Sequence, residues 1–237
     1  MSFSKLKSFI LQFLCLSCLS FFQLTGANAQ VSCADLFTLK SLVPEAPREA
    51  QRFIEQNRAN FSLLPQIEPK QFSDLREIDN DGELNLGSYT AQFRSKKVFI
   101  KKLERFGAQE AYWLMYLNRI GLGVHFYGVV KIDGGYGLVT QFTPGFNIKI
   151  RQGVNQLPPD FKMTKAMVQE MRRQTELAYS FGVAADGDPQ FLISPEQVRM
   201  IDVHYFSSIE KIKRSLQEVL EDLDLQIDLW RKLGRLE

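Results

Sequence analysis

The residue types that could carry chemistry gather between positions 186 and 206, which read D-G-D-P-Q-F-L-I-S-P-E-Q-V-R-M-I-D-V-H-Y-F. Asp186 and Asp188 lie in a loop with Pro189, and an apolar run, Phe191-Leu192-Ile193, follows. A turn at 194–197 leads to a second apolar run, 198–201, that ends on Asp202. The pattern predicts a hairpin, and a hairpin brings its ends together. Asp186 or Asp188 can then face Asp202 across one small site. Paired carboxylates of that kind can hold a divalent cation and orient a hydroxyl nucleophile. The same residues also describe a surface hairpin with solvated acids, since Asp is common in turns. The upstream chain adds a candidate cation, Lys101, in the strand-like run Val98-Phe99-Ile100-Lys101-Lys102.

Several elements must position these groups. Strands are predicted at 72–78, 84–94 and 97–103, with the turn signal Asp79-Asn80-Asp81-Gly82 after the first. A helix over 108–120 carries Ala111, Leu114, Met115 and Leu117 at near-helical spacing and stops at Gly121. Segments 124–132 and 136–142 form a hairpin across Asp133-Gly134-Gly135, and Thr143-Pro144-Gly145 breaks the chain. Beyond the break, 148–159 reads as loop and 164–181 as helix. A long amphipathic helix spans 209–236, with Ser207-Ser208 as its N-cap. Its acidic run, 218–224, reads as a solvated face. Earlier in the chain, 33–42 and 47–57 read as helices of an N-terminal extension, the second opening with Pro47 in its first turn. His125 and His204 read as packing or turn residues.

Composition bounds the class. The 237 residues, 45% hydrophobic and 24% charged, are those of a globular protein. Lys5 and Lys7 precede an apolar run over 9–24, and Ala27-Asn28-Ala29 follows, which matches a secretory signal peptide. Cleavage after Ala29 predicts a mature chain from Gln30, exported to a periplasmic or extracellular space. An uncleaved membrane anchor is the rival, weakened by Gln12, Gln23 and several serines. Of the three cysteines, Cys15 and Cys18 lie in the leader and only Cys33 remains, so no internal disulfide is expected. Removing Lys5 and Lys7 takes the formal charge from +2 to neutrality, without the electrostatic footprint of a nucleic-acid binder.

The order of elements and motifs resembles the protein-kinase-like superfamily. Val98-Phe99-Ile100-Lys101 looks like the third-strand V-A-I-K motif. The resemblance implies that Lys101 contacts the α- and β-phosphates of ATP, with Glu110 as its paired acid and Glu104 as a rival. Segment 139–145 looks like the last strand and hinge, where backbone groups of Gln141, Phe142 and Thr143 would read the adenine edge. Asp186-Gly187-Asp188-Pro189-Gln190-Phe191-Leu192-Ile193 looks like the catalytic loop D-x-x-P-x-N-I-L, which by register makes Asp186 the catalytic Asp, with Asp188 as its rival or a metal ligand. Met200-Ile201-Asp202-Val203 looks like the start of the D-F-G segment, making Asp202 the Mg²⁺ ligand. Gly82 and Gly87 have the separation of the outer glycines of a phosphate loop, with Leu84 in the middle place.

The expectation is therefore an α+β, two-lobed kinase-like fold: a leader (1–29), a helical extension (30–71), a five-stranded antiparallel N-lobe (72–142) and a minimal helical C-lobe (143–237). Its expected function is an exported ATP- and Mg²⁺-dependent transfer of phosphate to a hydroxyl of a protein or small molecule, with no nucleic-acid partner. Departures keep a second reading, a secreted pseudokinase acting as a binding module. Ala184-Ala185 precedes Asp186 in place of His-Arg. Phe191 stands where the family carries its metal-binding Asn, so that Asp188 or Gln190 would have to supply that oxygen. Val203-His204 replaces Phe-Gly, and no room remains for an activation segment.

Overall fold

The computed structural model describes residues 42–78, 87–152 and 157–237; the expected leader, Cys33, all but the last residue of the helix expected at 33–42, and Gly82 lie outside them. The described residues form one compact unit. It is α+β, with four helices and eleven strands among the described residues. No helix among the described residues is long and apolar enough to cross a membrane.

The main sheet has six strands. They are β1 (Gln66–Ile67), β2 (Phe72–Ile78), β3 (Ser88–Phe93), β4 (Lys96–Leu103), β5 (Phe126–Ile132) and β6 (Gly135–Gln141), in the order β1-β5-β6-β4-β3-β2. The expectation of a five-stranded antiparallel sheet is corrected here, because β1 adds a sixth strand, parallel to β5. It is two residues long between Pro65 and Pro69, too short to show a period of two. Gly128 opens the space for it: a Cβ there would lie 2.6 Å from the Pro65 carbonyl oxygen. The hairpin turns at Arg94-Ser95 and Asp133-Gly134 carry positive φ at both residues, the left-handed turns that suit strand twist.

Strand alternation sorts the two faces of this sheet. Val98 and Ile100 of β4 pack with Tyr89, Ala91 and Phe93 of β3 and with Ile67, Val130 and Val139 in one apolar cluster. The residues between them, Phe99 and Lys101, turn to the other face. On that side lies α2 (Ala108–Arg119), whose residues from Ala108 to Leu117 are buried apart from Gln109. The Asn118 amide donates to the carbonyls of Leu122 (3.0 Å) and Val124 (2.9 Å), and its oxygen accepts from Phe126 N–H at 2.8 Å. These bonds fix the path from α2 into β5. The helix expected at 47–57 is α1 (Pro47–Asn57); Phe53 meets the Tyr112 ring of α2 edge-on.

The C-terminal half holds α3 (Lys165–Ser180), α4 (Leu216–Lys232) and five short strands. These are β7 (Phe146–Lys149), β8 (Val183–Ala185), β9 (Gln190–Ser194), β10 (Gln197–Ile201) and β11 (Phe206–Ser208). The predicted hairpin is β9–β10. Two expectations change. Residues 148–159 are not all loop, because β7 joins β9 as the third strand of that sheet. Gly145 permits the approach, since a Cβ there would sit 2.5 Å from the Ile193 carbonyl oxygen. The last helix starts at Leu216 instead of 209, capped by Ser215. Ser215 and Glu218 form a reciprocal capping box, a stronger start signal than Ser207-Ser208. Ser208 instead lies buried in β11, donating its N–H to Gln51 Oε1 at 2.9 Å.

Candidate functional site

A cavity of about 410 Å³ opens between β4, α2 and β6 on one side and β7, β9 and Asp202 on the other. Its floor and roof are apolar, with Phe99, Leu114, Leu138, Leu192 and Ile201 among the lining residues. Its polar groups are few and convergent, the usual composition of a ligand site.

Lys101 is the centre of that convergence. Its Nζ lies 3.1 Å from both carboxylate oxygens of Glu110 and 3.5 Å from Asp202 Oδ1. Glu110 reaches it because β4 runs into α2 through only four residues, 104–107. A Cβ on Gly107 would stand 2.7 Å from Leu103 Cβ, so the tight start of α2 depends on glycine. The pair is Lys101 with Glu110; Glu104 is exposed. Burial works against the charge of Lys101. Attraction by Glu110 and Asp202, with their hydrogen bonds, outweighs it and holds the ammonium pKa above the ordinary lysine value.

Asp202 ends β10 in the left-handed conformation, at φ 55° and ψ 48°. For a residue with a Cβ that conformation is strained, and such strain clusters at functional sites. Its Oδ2 accepts from Gln190 Nε2 at 2.7 Å, and Gln190 Oε1 accepts from Asn147 Nδ2 at 3.3 Å. A polar chain thus runs Asn147, Gln190, Asp202, Lys101, Glu110 along one wall. Gln190 faces Asp202 because it pairs with Ile201 in the hairpin register. Phe191, one residue on, turns the opposite way and is fully buried in the core. Of the two candidates for the missing oxygen, Gln190 is the one beside Asp202, but it turns its NH₂ to that carboxylate and its oxygen to Asn147.

The loop before the hairpin is placed differently. The β8–β11 pairing sets Asp186 next to Tyr205, to whose carbonyl it donates its backbone N–H at 2.7 Å. Its side chain is exposed and does not line the cavity. Asp188 turns away, accepting the Arg151 backbone N–H on Oδ2 at 2.9 Å. Withdrawal from water raises its pKa, against the opposing pull of that hydrogen bond and of the Arg151 and Arg214 charges. The hairpin therefore does not set Asp188 against Asp202 in the cavity wall.

Arg214 donates to the Gly187 carbonyl at 3.2 Å and also to Asp222 of α4. Arg151 Nε donates to the same Asp222 carboxylate at 2.7 Å. The acidic run of α4 is therefore not a uniformly solvated face. Asp222 is only 23% exposed at its side chain and ties two arginines to the Asp186 loop.

Gln141, Phe142 and Thr143 line the cavity. Gln141 N–H is bonded to the His125 carbonyl at 2.8 Å and Phe142 N–H to that of Lys97 at 3.2 Å. His125 also meets the Tyr127 ring edge-on, a packing contact. Gly87 lies at φ +139°, its carbonyl accepting from Lys102 N–H at 2.9 Å, and is not in the lining. Phe99, Thr140, Asn147 and Leu192 are lining residues that were not singled out as site residues from sequence. Alternation in β4 and β6 could have found the first two, since Phe99 pairs with Thr140 across the strands.

Among the described residues no three His, Cys, Asp or Glu side chains gather as a metal cluster. A magnesium ion requires less than that: one or two carboxylates, with ligand phosphates and water completing its shell. Asp202 supplies one such carboxylate on the cavity wall. No family model matches the chain and no curated protein matches it.

Proposed function

We propose that the chain is a minimal protein-kinase-like phosphotransferase that binds Mg-ATP in the cavity beside Lys101. One observation carries the reading. A lysine is held between a helix carboxylate and a second carboxylate at a strand end, on the wall of a ligand-sized cavity. In this reading the six-stranded sheet with α2 is one lobe, residues 143–237 are a second, reduced one, and the 141–145 connection is the hinge that meets the base.

Each residue then has a task. Glu110 keeps Lys101 extended toward the α- and β-phosphates, and Asp202, oriented by Gln190, would hold Mg²⁺, whose charge shields the phosphate oxygens. Asp186 orients the acceptor hydroxyl and accepts its proton, from a loop pinned at its backbone with the carboxylate open to solvent. Catalysis in such a site is positioning plus neutralisation of charge, with little covalent work for the protein. The acceptor is a hydroxyl of a protein or small molecule. With the leader expected at 1–29, the enzyme acts in a compartment reached by export that contains ATP.

A second reading is a kinase-shaped binding module without turnover. The observation favouring it is that the Asp202 carboxylate is engaged by Lys101 and Gln190, while the Asp186 side chain does not line the cavity. Thermal shift with Mg-ATP, and transfer of labelled phosphate by the natural chain and by Asp202→Ala, test both. Transfer that is lost in Asp202→Ala supports the enzyme. Binding without transfer across candidate acceptors leaves the module, and no binding of nucleotide removes both.

A further inference from the structure

α4 carries more apolar surface than the fold covers. Val219, Leu223 and Trp230 are at most 1% exposed and face the rest of the chain. Leu225, Leu229 and, at the C-cap, Leu233 are 66%, 39% and 52% exposed. Residues four apart on a helix are neighbours, so these three form one ridge beside the buried face. Single exposed leucines are normal, whereas a contiguous apolar patch marks a contact surface. Ridges of i, i+4, i+8 side chains are what one helix inserts between those of another.

The charges on α4 say which helix that is. Glu218, Glu221, Asp222 and Asp224 lie in its first half, and Arg231 and Lys232 in its last turn. Most are already engaged: Asp222 with Arg151 and Arg214, Asp224 with Arg172, and Asp228 with Arg231. Glu218 belongs to the Ser215 cap. Glu221 and Lys232 are exposed and form no ion pair among the described residues; Glu221 accepts only from the Gln217 amide, at 2.9 Å. They lie about three turns apart and so share one edge of the leucine ridge. An edge with an acid at one end and a base at the other complements itself when turned end to end.

We propose that this ridge binds a second copy of the chain, α4 against α4, antiparallel about Leu229. A twofold axis there sets Leu229 on its own copy and Leu225 of each chain on Leu233 of the other. Lys232 of one copy comes level with Gln226 of its partner, between Asp228 and Glu221 and about 7.5 Å along the axis from Glu221. Two long side chains span that distance. The antiparallel sense also opposes the helix dipoles, while a parallel pair would set Glu221 on Glu221 and Lys232 on Lys232. The ridge is smaller than a standard interface, so the dimer is transient, with a dissociation constant on the order of 10 µM. None of these residues lines the cavity beside Lys101, so the dimer stands independently of the nucleotide reading.

The test is sedimentation velocity from about 1 to 200 µM chain, which brackets that constant. The expected result is a shift from monomer to dimer across the range. Leu229→Glu sets two carboxylates against each other on the axis and should leave a monomer whose thermal unfolding is little changed. Lys232→Glu and Glu221→Lys, both at exposed positions, should each weaken the dimer by about 5- to 10-fold, since symmetry removes two ion pairs at once. The two changes together should restore it. A natural chain that stays monomeric throughout overturns the proposal. A dimer that survives Leu229→Glu also overturns it, because the interface then lies elsewhere. Single charge changes without effect, or a double exchange that fails to restore the dimer, do the same. Should Leu229→Glu fail to fold, the charge exchange decides by itself.

Discussion

Two acidic regions of this molecule are built in opposite ways. Around Lys101 the side chains are mutually satisfied: Glu110, Asp202, Gln190 and Asn147 form one continuous chain of contacts on a cavity wall. At 186–188 the side chain of interest is exposed, and the order is supplied through backbone atoms and Asp188, by Tyr205, Arg214 and Arg151. The first arrangement stores electrostatic organisation in a partly dry place, where a charge is worth most. The second holds the position of a carboxylate while leaving its oxygens unspent. A group that must bind a charged ligand benefits from the former, and a group that must exchange a proton with an incoming hydroxyl benefits from the latter.

Lys101→Met strands two carboxylates against each other. Removing one partner of a fully buried pair costs ~3–5 kcal/mol. With a quarter of the lysine side chain in solvent, the loss here should be about 2 kcal/mol, read from urea unfolding. Mg-ATP affinity should drop by roughly 10- to 100-fold in calorimetry, the worth of a charge-assisted contact. The same lysine sets a pH dependence. Its folded pKa is raised, so its contribution is complete below the ordinary lysine range, near ~10.4, and is lost as pH rises through the folded value. Unfolding midpoints followed into alkali should show this limb in the natural chain and lack it in Lys101→Met.

Asp202→Asn keeps a residue tolerant of the left-handed conformation and removes the charge. Phosphate transfer should fall by roughly 100-fold or more, with a smaller change in stability than for Lys101→Met. A variant that transfers as fast as the natural chain would dislodge Asp202 from its role.

Arg214→Met acts on the loop alone. Mg-ATP affinity should stay within about twofold, because Arg214 is not in the cavity lining. Transfer should fall by about 10-fold, the cost of misplacing a well-oriented group by a fraction of an ångström. Amide exchange at 186–188 should quicken while α2 keeps its protection. If binding and transfer fall together, the two regions do not act independently.

The smallest effect is expected for Asp188→Asn. The amide keeps an acceptor for the Arg151 N–H and removes a carboxylate that is half withdrawn from water. The folded pKa of Asp188 is raised, so its carboxylate lowers stability once pH passes the folded value. Stability at neutral pH should therefore rise by a few tenths of a kcal/mol, a figure reduced for solvent screening. The Mg²⁺ dependence of nucleotide binding should not change; a loss would return Asp188 to the metal site.

Much of the cavity wall was legible in the residues. The alternation of β4 separates Lys101 from Val98 and Ile100, and helical spacing after it places Glu110 within reach. The β9–β10 hairpin was readable from two apolar runs around a turn. Other features were hidden for identifiable reasons. Gln190 and Phe191 differ by one position, and a one-residue change of register exchanges the two faces of a strand. β1, two residues long, spans a single period of its own pattern. Asp222 looks like any acid on a helix until Arg151, distant by 71 residues, folds against it.

What the sequence determined by itself is local: which segments are helix or strand, which face each presents, and where glycines permit close approach. Propensity, periodicity and turn chemistry act over a few residues, so they can be read without the fold. Only the tertiary structure decided which acids face the lysine and which face away. It also added β1 and β7 to their sheets. Those outcomes depend on pairing register and on contacts between distant segments. Their energies are differences between whole arrangements of the chain and are not written in any one stretch of it.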